Sequence, residues 1–240
     1  MRILLLSVLL GVFSYPVAQE KTETRELVGH IAKRSALLVM HATQRADGGW
    51  QLTGEYLLLP TLVRRYLEGE RSPEIGVTTL KEGTTAILFG RPATGELRGT
   101  WRDGRFRGMR YGPGGQERER FEFSESFPAM DAYSASVKCE AGGGPYSSAL
   151  AYSVESGQLK SLEWRSTASG QACVISGLQQ QAAKGGLRFT GADCAVSLRE
   201  VGDFVKVAAD GCTKQCGAGA YFEPVLVDSR GNCRLLRPAN

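Results

Sequence analysis

The chain has 240 residues, with 29 Lys and Arg against 25 Asp and Glu and a formal net charge of +4. That near balance, without a dominant basic block, excludes an electrostatic case for nucleic-acid binding. The 30 glycines separate short apolar runs, which favours a β-rich chain with tight turns over a helical bundle, and the length suits one large domain or two small ones.

The first predicted element is a leader at residues 1–19. Met1-Arg2 is a minimal positive region, and the apolar run at 3–13 is shorter than the roughly 20 residues of a membrane-spanning helix. Ser14-Tyr15-Pro16-Val17-Ala18-Gln19 ends the run and offers small residues for cleavage between Ser14 and Glu20. The alternative is a buried N-terminal helix. No cysteine lies near the leader, so the lipoprotein route is closed, and no later apolar run reaches spanning length. The expectation is an exported, periplasmic, soluble protein with no transmembrane segment.

Residues 20–128 read as a glycine-punctuated β-meander. The charged stretch 21–33 predicts a short helix or a loose arm. Residues 35–43 predict a buried strand, Asp47-Gly48-Gly49 a turn, and 50–57 a half-buried strand with alternating apolar and polar positions. Leu52-x-Gly54-x-Tyr56, Leu67-x-Gly69 and Leu97-x-Gly99-x-Trp101 form an internal repeat, read as successive strands in which glycine relieves crowding. Residues 75–80 and 86–89 fill the intervening strands, joined as a hairpin by Lys81-Glu82-Gly83-Thr84. Phe121, Phe123 and Phe127 share one face of the last strand, and Pro128-Ala129-Met130-Asp131 marks the boundary.

Arg64, Arg65, Arg91, Arg98, Arg102, Arg105, Arg107 and Arg110 lie among Tyr66, Trp101, Phe106 and Tyr111. Interleaved cations and aromatics on a sheet can bind a glycan, an anionic polymer or a protein, and the plainer alternative is a solvated outer face. Trp50, Trp101, Arg102 and Arg105 are the candidates for such a surface. Arg118 and Arg120 alternate with Glu117 and Glu119, which predicts neutralisation by surface pairs.

Residues 129–240 predict a disulfide-stapled β domain, a small barrel or sandwich. Strands are expected at 133–139, 148–154, 159–164, 173–175, 187–189, 194–199 and 204–207, with Gln179-Gln180-Gln181 in a loop. All six cysteines (Cys139, Cys173, Cys194, Cys212, Cys216, Cys233) lie here, as suits an oxidising compartment. Six cysteines allow fifteen pairings. The favoured set is Cys173–Cys194, Cys212–Cys216 and Cys139–Cys233. Metal binding is disfavoured, because Cys-x-x-x-Cys is not the usual knuckle spacing and this half has no histidine. No redox Cys-x-x-Cys in a βαβ setting is visible. The overall fold class is therefore all-β, with two small antiparallel domains, and no cofactor or metal is expected.

The segment Cys212-Thr213-Lys214-Gln215-Cys216-Gly217-Ala218-Gly219-Ala220-Tyr221-Phe222 resembles the Cys-rich tail of exported bacterial lysozyme-inhibitor-like proteins. Cys173, Cys194 and the Leu-x-Gly modules of the first half stand at similar places in that group. The resemblance implies a non-enzymatic protein whose partner is a peptidoglycan hydrolase. In the C-type inhibitors a Ser-Gly and a Lys-Gly enter the enzyme's cleft. Ser169-Gly170 and Lys184-Gly185 are the analogues here, with Cys173 and Ala182 or Ala183 where that family has aromatics.

Catalytic patterns are sparse. His30 and His41 are the only histidines, and no nucleophile elbow, zinc-helix or nucleotide-loop motif is present. Glu119, Glu122 and Glu125 are the remaining acids for glycoside hydrolysis, but strand alternation sends Glu119 and Glu122 to opposite faces. The expectation is a non-enzymatic binding protein or hydrolase inhibitor. The alternatives are a module that binds an envelope glycan or polymer, and an unrecognised hydrolase.

Overall fold

Strict alternation of inward and outward side chains builds the first half. The computed structural model describes residues 21–71, 76–85, 92–168, 170–217 and 221–236. Strands β1 (Thr22–Ile31), β2 (Arg34–Gln44), β3 (Trp50–Leu58), β4 (Val63–Arg71), β5 (Val77–Gly83), β6 (Gly95–Arg102), β7 (Arg105–Tyr111) and β8 (Arg118–Ser124) form a closed barrel in sequence order. Each strand pairs antiparallel with the next, and β1 closes on β8 through Val28↔Ser124 to Ile31↔Phe121. Closure satisfies the backbone groups that an open edge would leave unpaired. Leu27, Ile31, Leu38, Leu52, Tyr56, Leu67, Leu80, Leu97, Phe106, Phe121 and Phe123 fill the interior.

The Leu-x-Gly repeat falls on this inward face. Leu52, Leu67 and Leu97 are core residues, and the glycine two positions on lets a neighbouring strand cross close by. A Cβ at Gly69 would collide with the Thr79 carbonyl, and one at Gly99 would also lie 2.8 Å from the Phe121 ring and 2.9 Å from the Phe106 ring.

Several local expectations are corrected. Residues 22–31 form β1 rather than a helix or arm, because Leu27 and Ile31 fall on the inward face at a period of two. Lys81, Glu82 and Gly83 belong to β5 rather than a hairpin turn, since Leu80 and Glu82 both point inward. Phe127 leaves the Phe121 and Phe123 face and joins a different cluster. The leader, Arg91 and the strand expected at 86–89 lie outside the described residues.

The second half packs two sheets face to face. The four-stranded sheet has the order β12-β11-β10-β9, from β9 (Ala135–Gly143), β10 (Tyr146–Glu155), β11 (Gln158–Ala168) and β12 (Gln171–Ser176). The six-stranded sheet runs in chain order through β13 (Gln179–Gln181), β14 (Leu187–Gly191), β15 (Cys194–Val201), β16 (Phe204–Gly211), β17 (Val225–Asp228) and β18 (Cys233–Leu235). Leu150, Tyr152, Trp164 and Ile175 of one sheet share a core with Phe189, Val196, Leu198 and Val207 of the other. The Trp164 indole donates to the Ser148 hydroxyl at 2.7 Å, so its buried N–H is satisfied. The glutamine segment at 179–181 is a strand rather than a loop: its exposed side chains carry no packing signal, and backbone pairing with β14 defines it.

The disulfides are Cys139–Cys233, Cys173–Cys216 and Cys194–Cys212. The Cys139–Cys233 expectation is met, and the other two pairs are corrected. Cys194 lies opposite Gly211 in the β15–β16 ladder, which places Cys212 beside it. Cys216 ends the short helix α1 (Thr213–Cys216) that lies against β12, the strand carrying Cys173. Two of the bridges therefore stitch both outer strands of the four-stranded sheet to the other sheet's chain.

The six-stranded sheet is covered on its second face too. Phe204, Val201 and Leu226 meet Leu37, Leu57 and Leu59 from the barrel exterior, together with Phe127 from the linker. This explains why residues 204–207 are buried without a break instead of alternating. Lys206, only 9 % exposed, and Arg199 both pair with Glu26 of the barrel wall.

Candidate binding site at the barrel mouth

The two ends of the barrel differ in chemistry. At one end, inward positions carry a network of paired charges. Glu82 is fully buried and accepts hydrogen bonds from the Tyr56 hydroxyl at 2.6 Å and from Arg110 Nε and Nη2 at 2.7 and 2.8 Å. Arg65 Nε lies 3.4 Å away. Arg110 Nη1 donates to Glu119 at 2.9 Å, and Arg34 adds a further bond to Glu119 at 3.0 Å. Burial pushes the Glu82 carboxyl up, but the bonds from Arg110 and Tyr56 and the charges of Arg110 and Arg65 outweigh it, so its pKa lies below the ordinary value. The bond to Glu82 raises Arg110 in turn, and burial raises the Tyr56 phenol. Glu82, Arg110 and Tyr56 are each shifted away from neutrality, so they form a structural network rather than an acid–base pair poised near it.

The opposite end is a cavity of about 230 Å³, lined by Lys21, Glu23, Arg25, Met40, Ala42, Trp50, Leu52, Arg71 and Trp101. Met40 and Leu52 are buried core residues and form an apolar floor. Trp50 opens β3 and Arg71 ends β4, and the register sets them side by side. Lys21 lies over the Trp50 ring at 5.7 Å and Arg25 over Trp101 at 5.5 Å. The other side of Trp101 stacks on Phe106, with ring centroids 5.0 Å apart.

The charges at this mouth are not equally available. Glu23 accepts from Lys21 at 2.6 Å and from Arg25 at 2.8 Å, and those bonds, Lys21 first, hold its carboxyl at about 2. Arg25 is shared further with Glu125 at 2.7 Å. Among the described residues Arg71 makes no ion pair, so it is the cation left uncommitted. Thr78 faces Arg71 across the β4–β5 ladder, and its buried hydroxyl has no hydrogen-bond partner among the described residues. An unpaired buried hydroxyl of this kind costs roughly 1–3 kcal/mol.

The structure separates the other expected site residues. Trp101 turns into the mouth, whereas Arg102 and Arg105 face each other at the outer tip of the β6–β7 hairpin. Arg102 is 90 % exposed beside Asp103, and Arg105 reaches Glu122 at 3.3 Å. The supposed arginine face also divides: Arg65 and Arg110 point inward to Glu82, and Arg64 pairs with Glu55 and the Leu236 carbonyl, while Arg98 and Arg107 form outer pairs with Glu96 and Glu122. Glu119 is committed to Arg34 and Arg110 rather than to its neighbours Arg118 and Arg120. Ser169 lies outside the described residues, and Lys184 is exposed in the bend between β13 and β14. His41 is exposed and bonded to the Thr24 hydroxyl at 2.9 Å. The six cysteines serve as staples, and no group of three His, Cys, Asp or Glu among the described residues is arranged to hold a metal. No helix among the described residues is long and apolar enough to cross a membrane.

Sequence reading missed Lys21, Arg25 and Arg71 at the mouth. Their signal was available in principle: they extend the inward alternation of β1 and β4 past the apolar core. No protein-family model, curated protein or solved structure matches the chain.

Proposed function

We propose that the chain is an exported, non-enzymatic periplasmic binding protein that holds an envelope glycan at the tryptophan-lined barrel mouth. One observation carries this reading: Trp50 and Trp101 meet Lys21, Arg25 and Arg71 over a closed apolar floor. The indole rings of Trp50 and Trp101 add apolar wall to that floor, and Arg71, which has no acid partner among the described residues, suits an acidic group. The three disulfides support an oxidising compartment. The hydrolase-inhibitor reading, with lysozyme as partner, rests on Ser169 and Lys184; Ser169 lies outside the described residues and Lys184 is exposed between β13 and β14.

Co-sedimentation with purified peptidoglycan tests the proposal. The protein is expected to pellet with the polymer, and Trp50→Ala is expected to keep it in the supernatant. Unchanged pelleting by Trp50→Ala and Arg71→Ala together sinks the assignment to this mouth. A lysozyme turbidity assay run alongside separates the readings: inhibition without polymer binding favours the inhibitor.

A further inference from the structure

The mouth is too small and too selectively charged to accept any stretch of a polymer. Its volume of about 230 Å³ falls below the roughly 300–1,000 Å³ of sites that enclose drug-sized ligands. The floor is closed by core side chains, so a chain cannot thread through; only an end or a single projecting group enters. Met40, Ala42 and Leu52 offer no hydrogen-bonding group, so the part that reaches the floor must be apolar. At the wall, Lys21 and Arg25 are already neutralised by Glu23 and Glu125. Arg71 has no acid partner among the described residues, and the Thr78 hydroxyl opposite it in register is unpartnered too.

From this we infer that the mouth recognises a glycan end bearing one carboxylate and one compact acyl group, with Arg71 holding the carboxylate and the Met40, Ala42 and Leu52 floor taking the acyl methyl. The inference rests on the glycan reading above and narrows it. Arg presents a planar fork that matches a carboxylate, and a single uncommitted guanidinium matches a single negative charge.

The test is titration of the full mature protein with four small probes, read by tryptophan fluorescence and repeated by calorimetry. The probes are N-acetylmuramic acid, which has both groups; N-acetylglucosamine, which lacks the carboxylate; muramic acid, which lacks the acyl group; and octanoate, which lacks the sugar. N-acetylmuramic acid is expected to bind at least tenfold tighter than N-acetylglucosamine or muramic acid. Arg71→Gln should erase its advantage over N-acetylglucosamine while thermal melting stays that of the parent. Trp164, buried in the sandwich core, should not report, so Trp50→Phe combined with Trp101→Phe should remove most of the signal. Equal affinities for the three sugars, or an Arg71→Gln variant with an unchanged preference, overturn the inference and leave the glycan reading standing. Binding of octanoate alone overturns both.

Discussion

The barrel and the sandwich solve the same problem of sheet edges in different ways. The barrel pairs β1 with β8 and has no edge left to protect, and it contains no cysteine. The sandwich has open sheets, and its disulfides run from both outer strands of the smaller sheet, through Cys139 on β9 and Cys173 on β12. Closure by hydrogen bonds and closure by covalent bonds are thus alternatives within one chain. Closure also leaves the barrel two ends: one is lined by the charged Glu82–Arg110–Tyr56 plug and the other is the tryptophan-lined mouth.

Reducing all three disulfides is the strongest way to break the comparison. Sequence separations of 94, 43 and 18 correspond to about 3–5 kcal/mol each in the chain-entropy description, with a smaller sum because the loops are nested. Reductant should therefore melt the sandwich first, seen as exposure of Trp164 in a Trp50→Phe, Trp101→Phe background. Simultaneous loss of the barrel's far-ultraviolet signal would show that closure does not make the barrel autonomous.

Next in size is the plug. Glu82→Ala leaves Arg110 buried without its main partner and should cost about 3–5 kcal/mol in urea unfolding. Tyr56→Phe removes one bond to the same carboxylate and should cost about 1–2 kcal/mol.

Acid offers a reversible version of the Glu82 experiment. The folded-state pKa of Glu82 lies below its ordinary value of 4.5, so its contribution is fully present above about pH 4.5 and is lost as pH falls through the folded value. The stability gap between the parent and Glu82→Gln should narrow over that acid range and stay constant at higher pH.

The mouth should show the smallest effect on stability. Trp50→Phe is expected to shift unfolding by no more than about 0.5 kcal/mol while glycan binding falls. A large loss of stability would mean that this end too is a structural plug.

The β class and the disulfide stapling of the second half were legible from residues alone. The Leu-x-Gly spacing located β3, β4 and β6, because a close strand crossing needs a residue without a side chain beside a core leucine. The site was half legible: Trp50 and Trp101 stood out as aromatics, but which cations accompany them did not. Arg102 follows Trp101 directly and faces the other way, while Arg71 is 30 positions from Trp101 and shares its cavity. The β1 strand was hidden because its charged residues sit at the mouth, where inward positions are polar.

What the sequence determined by itself was local: strand periodicity, turn chemistry, and the confinement of every cysteine to one half, each written within a few neighbouring residues. Tertiary structure alone decided the ring closure of β1 on β8, two of the three disulfide pairings and the division of arginines between plug, interface and mouth. Those outcomes depend on strand register, barrel closure and the packing of the barrel on the sandwich, which bring together residues as distant as Glu26 and Arg199, 173 positions apart, and no local pattern encodes that distance.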